Sequence, residues 1–240
     1  MLALHLPEGS ARSSARIAGV CYLAGALASL LGQLVIPDRL VVANNAATTA
    51  ANILAHEPLY RFSAILALAC IPFHVVWAVL FFRLFKPVNE TLVTVAGGAM
   101  LLACAVWTLC FLFAIASLTV LKGTRSFSAF APEQLQAVAL VFVRLNAQAY
   151  DVGLAFFGWW CMLVGYLIYK SHFLPRTIGA LYALAGVAYL TLLYAPLSRA
   201  LYPYNLALAG PGELSLLLWL LVKGVDEQRW KDRAQQYWAA

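Results

Sequence analysis

Arg144, Gln148 and Asp151 are spaced by four and three residues, so on a helix they share one face. They stand at the entrance of an apolar run, 152–169, where polar side chains are costly unless they meet partners or a ligand. Arg61 opens a second apolar run, and Glu213 opens a third. If Arg61, Arg144, Asp151 and Glu213 lie at one level, two cations and two carboxylates form a polar vestibule. Such a vestibule suits an ion or a polar head, with the apolar helices holding a lipid-like tail. The structural alternative pairs Asp151 with Arg61 or Arg144 and lets Glu213 cap its helix. His74 follows Pro72 by two residues inside its run, where the proline frees the carbonyl of Leu68 for a neighbour. It is either satisfied by such a carbonyl or available as a proton carrier or ligand. Asp151, Glu213 and His74 are the acid–base candidates if the chain is a membrane enzyme or transporter.

Other chemistries find no support. There is no Gly-x-Ser-x-Gly elbow, no phosphate-binding loop and no dinucleotide fingerprint. Cys21, Cys70, Cys104, Cys110 and Cys161 all fall in apolar runs without a Cys-x-x-Cys pair, so neither a disulfide framework nor a metal site is read from them. His5, His56 and His172 lie outside the runs, so no second histidine stands at the depth of His74 to complete a haem ligand pair. No cofactor is indicated.

The elements that position these residues follow from composition. Hydrophobic residues make up 63% of the 240 and charged residues 11%. A soluble domain is nearer half apolar and a quarter charged. The apolar runs reach the roughly 20 residues that cross a bilayer core. The fold class is therefore all-α, a polytopic bundle of six transmembrane helices, with the lipid bilayer as its first partner. The formal charge of +6 comes from Arg and Lys at run ends, without a basic stripe for nucleic acid.

The expected spans are 17–36, 60–82, 92–120, 147–169, 178–194 and 212–225. Pro37 is expected to close the first. Between spans one and two, Asn45 is expected to cap an amphipathic helix over 46–57 that Pro58 ends. The fourth helix begins at Pro132, and either bends near 145 or projects from the membrane. Loop 195–211, with Pro196, Pro203 and Pro211, reads as irregular. Residues 1–16 form a cytoplasmic segment that lacks the build of a signal peptide, 17–225 the membrane domain, and 226–240 a cytoplasmic interfacial helix with Trp230, Ala234 and Tyr237 on one face. Ten basic residues fall on the side of the termini, against Arg39, Arg61, Lys122, Arg125, Arg199 and Arg144 on the other, which gives both termini inside.

Five stretches in this order carry a resemblance: 15–23 (ARIAGVCYL), 48–57 (TTAANILAHE), 150–158 (YDVGLAFFG), 165–176 (GYLIYKSHFLPR) and 212–225 (GELSLLLWLLVKGV). Together they resemble the bacterial membrane-protein family known as domain of unknown function 4386. The resemblance implies a helical bundle of the bacterial inner membrane and brings no reaction with it. It places Arg16, Asn52, Asp151 and Glu213 at matching polar positions. Two functions stay open. One is a non-enzymatic binding or accessory protein, holding an amphiphilic small molecule, a membrane-protein partner or a second copy through the outer vestibule. The other is the enzyme or transporter above.

Overall fold

The computed structural model describes residues 10–123 and 129–239. His5 and Arg125 lie outside them. The described residues contain helices and no strand, as the composition requires. Among the described residues, five helices are long and apolar enough to cross a membrane, and a sixth is counted when the last two, bent by 97°, are taken together.

Helix α1 spans Ser10–Ser29 and passes into a π-helical turn, Leu30–Val35, then into the short α2, Pro37–Leu40. Pro37 does not end the first span. It sits in the first turn of α2, where a missing N–H leaves no bond unmade. Helix α3 is Ala46–Ala55, and its Asn45 cap is as expected: the side-chain oxygen accepts from the Thr48 N–H at 2.9 Å. It stops short of Glu57, because α4, Glu57–Phe85, begins there. Pro58 thus opens α4 instead of closing α3. Pro72 lies inside α4 without ending it.

Helix α5 is Glu90–Leu121. Helix α6, Pro132–Ser171, is one helix of 40 residues. At about 1.5 Å per residue it is about 60 Å long, twice the roughly 30 Å bilayer core. Helix α7, Arg176–Leu190, runs into a 3₁₀ turn, Thr191–Leu193. The loop expected to be irregular is largely helical. Helix α8 is Ala195–Leu201, and α9 begins at Tyr204, runs through Pro211 and ends at Val222. Glu213 therefore lies in the interior of the last span and not at its start. The tail is α10, Glu227–Ala239.

The chain divides into two compact units. The first comprises the described parts of Met1–Leu23, Phe73–Ala103 and Leu154–Ala240, and is aromatic at its centre. Trp77, Phe81, Phe85, Trp160 and Tyr182 are fully buried there. Trp77 meets Trp160 at 5.2 Å and Phe81 at 5.3 Å between ring centres, both edge-on, the geometry aromatic quadrupoles favour. Helix α7 packs on α6 backbone to backbone: a Cβ at Gly165 would lie 2.6 Å from the Gly179 carbonyl oxygen. Helix α7 also packs along α9. The tail's aromatic face is turned to protein, with Trp230 donating its indole N–H to the Leu84 carbonyl at 3.0 Å and Ala234 buried.

The second unit comprises Ala24–Pro72 and the described part of Cys104–Gly153. Its core is Ile36, Leu40, Ile53, Tyr60, Ala64, Ala114 and Leu118. Here α3 is tied down by Asn52, which donates to the Leu40 carbonyl, and by Thr49, which bonds both backbone groups of Val42.

Candidate functional site

The second unit contains a cavity of about 220 Å³. The π-helical turn makes one side of it through Gly32, Gln33 and Leu34. The Ile36 N–H reaches back five residues to the Leu31 carbonyl, so the turn is wider than an α-helical one. Gly32 lets this turn lie against α4. A Cβ there would stand 2.7 Å from the Ala67 nitrogen and 2.8 Å from the Ser63 oxygen, too close for any side chain. Helix α4 contributes Tyr60 and Ser63, and α6 contributes Asn146, Tyr150 and Asp151.

Most polar groups around the cavity are already bonded. The Tyr60 hydroxyl meets Ser117 at 2.8 Å, and Ser63 donates to the Tyr60 carbonyl. Tyr150 meets Ser29 at 3.2 Å. Asn146 donates to the Cys110 carbonyl at 2.6 Å, and the Cys110 thiol donates back to the Asn146 carbonyl at 3.6 Å. Three polar lining residues differ. Gln33, Asp38 and Asp151 form no side-chain hydrogen bond or ion pair among the described residues, the two aspartates are exposed, and no lysine, arginine or histidine lines the cavity.

The residues singled out from sequence go to different places. In the second unit Asp151 lines the cavity, whereas Arg61, Arg144 and Gln148 do not. Arg61 donates to Glu57 at 2.8 Å, and Lys122 takes the same oxygen at 2.8 Å. Arg144 donates to the Asn44 side chain at 3.0 Å. Asn44 has a φ of 59°, a left-handed conformation that Asn adopts more readily than most residues. Gln148 is exposed. Neither arginine pairs directly with Asp151. Asp38 is not among the candidates from sequence, because Pro37 was expected to close span one just before it. The helical continuation past Pro37 that brings Asp38 to the cavity has no sequence signal.

His74 and Glu213 belong to the first unit. His74 is buried, with its ring edge-on to Trp77 at 6.0 Å and to Phe157 at 6.4 Å. Glu213 accepts from two phenols, one on each oxygen: Tyr22 of α1 at 2.9 Å, and Tyr189 of α7. Tyr22 in turn stacks flat on Trp77, 4.2 Å between centres at 6°. The glutamate thus joins α1, α7 and α9. No group of three or more His, Cys, Asp or Glu among the described residues could hold a metal ion.

Fold and site together define a polytopic helical membrane protein with a small cavity that has two aspartates in its wall. The chain belongs to the family described as Domain of unknown function (DUF4386), whose profile matches residues 17–224. It is also similar to an uncharacterized protein of Archaeoglobus fulgidus, 36% identical over 76 residues, which cover 31% of this chain and 45% of that protein. The chain therefore matches less than half the length of that relative. No solved structure matches it.

Proposed function

We propose that this protein is a non-enzymatic binding or accessory protein of the bacterial inner membrane, and that its cavity receives the polar end of a small amphiphile. The observation that carries this reading is the pair Asp38 and Asp151, which line the cavity without a bonded partner. Carboxylates left this way favour a ligand that brings a positive charge or N–H donors. About 220 Å³ is below the roughly 300–1,000 Å³ of a drug-sized pocket, so the cavity suits a head group or a short amphiphile and not a whole lipid. The polar vestibule inferred from sequence is thereby narrowed to Asp151 and its neighbours, and the ligand's charge is opposite to the one Arg61 and Arg144 would select.

The test is mass spectrometry of what co-purifies with the full chain: small molecules, lipids and proteins. A small amine-bearing molecule should accompany the wild type. Its retention should fall about tenfold in Asp151→Asn, the loss of one charge-assisted contact. Retention unchanged in both Asp151→Asn and Asp38→Asn defeats the reading. Turnover or transport of the retained molecule would move the protein to the enzyme or transporter class.

A further inference from the structure

We propose that the groove between α6 and α7 in the first unit binds a phospholipid with an anionic head group. The groove encloses about 410 Å³. Its floor exists because Gly165, Gly179 and Ala183 let the two helices touch backbone to backbone. Tyr166 and Tyr169 stand along it with about half of their surface exposed. Tyrosines exposed on membrane helices lie at head-group level, where one end is apolar and the other wet.

Two cations sit on those rings. The Lys170 ammonium lies 5.8 Å from the Tyr166 ring centre, and the Arg176 guanidinium 5.4 Å from that of Tyr169. Contact with the ring faces holds both charges near the groove. Neither cation has a carboxylate partner among the described residues. Among the described residues, Arg176 has one polar partner besides the tyrosine, the His172 ring nitrogen at 3.1 Å. The first turn of α7 has no side-chain cap; the Ile178 and Gly179 N–H groups turn back to the Pro175 carbonyl, and those of Arg176 and Thr177 are left at the positive end of the helix.

An apolar groove with two unneutralised cations beside it fits an acyl chain under a phosphate. Basic pockets between membrane helices take anionic head groups in this way. Inorganic phosphate would answer the cations and leave the groove empty. A zwitterionic lipid would fill the groove and bring its own cation to the same place. The full chain in detergent is therefore mixed with phosphatidylglycerol or with phosphatidylcholine of the same acyl chains, and bound lipid is counted by native mass spectrometry. Phosphatidylglycerol should be retained preferentially. Lys170→Gln with Arg176→Gln should weaken that retention about thirtyfold, two surface cations' worth, and leave phosphatidylcholine unchanged. Ala180→Trp, at an exposed groove position, keeps both cations and fills the space, so it should also weaken retention. Because its change is independent of charge, it carries the test if the double variant does not fold. Equal retention of the two lipids by the wild type, undiminished retention in a folded variant, full competition by inorganic phosphate, or a second copy of the chain in place of lipid overturns the proposal.

Discussion

Glu213 in the first unit and the aspartates Asp38 and Asp151 in the second are held in opposite ways. In the first, Glu213 has a phenol on each oxygen, and those phenols come from different helices. In the second, Asp38 and Asp151 face a cavity with no bonded partner. A carboxylate that is fully satisfied by its own chain has little left to offer a ligand, and removing it strands its donors. A carboxylate left open contributes little to folding and keeps its acceptors for something else.

This contrast can be broken at Glu213 first. Glu213→Leu leaves the Tyr22 and Tyr189 hydroxyls without their acceptor. It should cost about 3 kcal/mol, the order expected when two buried donors lose their acceptor, seen as a large fall in thermal stability in detergent. Glu213→Gln should recover part of it. A Glu213→Leu protein as stable as the wild type would remove the structural half of the comparison. Next comes Gly32→Ala. Its Cβ would press on the Ala67 nitrogen and the Ser63 oxygen, an overpacking worth about 1–3 kcal/mol. Because the same residue lines the cavity, the melting temperature and ligand retention should fall together. The smallest stability effect belongs to Asp151→Asn, within about 0.5 kcal/mol of wild type, because no bond is lost. If that variant is instead strongly destabilised, Asp151 is structural and the contrast collapses.

Much of the fold was legible in the sequence, because membrane spans and caps are local. The apolar runs located α1, α4, α5, α6, α7 and α9. Asn45, three residues before Thr48, marked the start of α3, and Pro132 marked that of α6. The errors came from reading proline as a terminator. Pro37, Pro58 and Pro196 each lie in a first turn, where no intrahelical donor is needed, and Pro211 is carried within α9. That misreading put Glu213 at a helix start. The candidate site was less legible. Asp151 was recognised from its place on a polar helical face. Tyr22 and Tyr189 as partners of Glu213 were not, since they lie 191 and 24 residues away and pairing at such separations leaves no periodic trace. The two arginines drew attention because charge is rare in such a chain, yet their neighbours Glu57 and Asn44 already occupy them.

The π-helical turn Leu30–Val35 can be regarded as an α-helix with one surplus residue. Each residue of an α-helix advances the chain by about 100° around its axis. Wound as ordinary α-helix, the surplus residue would swing everything after it by about that angle, and the wider turn takes up most of that rotation. Without the widening, Pro37, Asp38 and Val41, all on the cavity wall, would rotate away from it together. Where Asp38 points thus depends on how one extra residue after Ser29 is wound, more than on how many residues precede it.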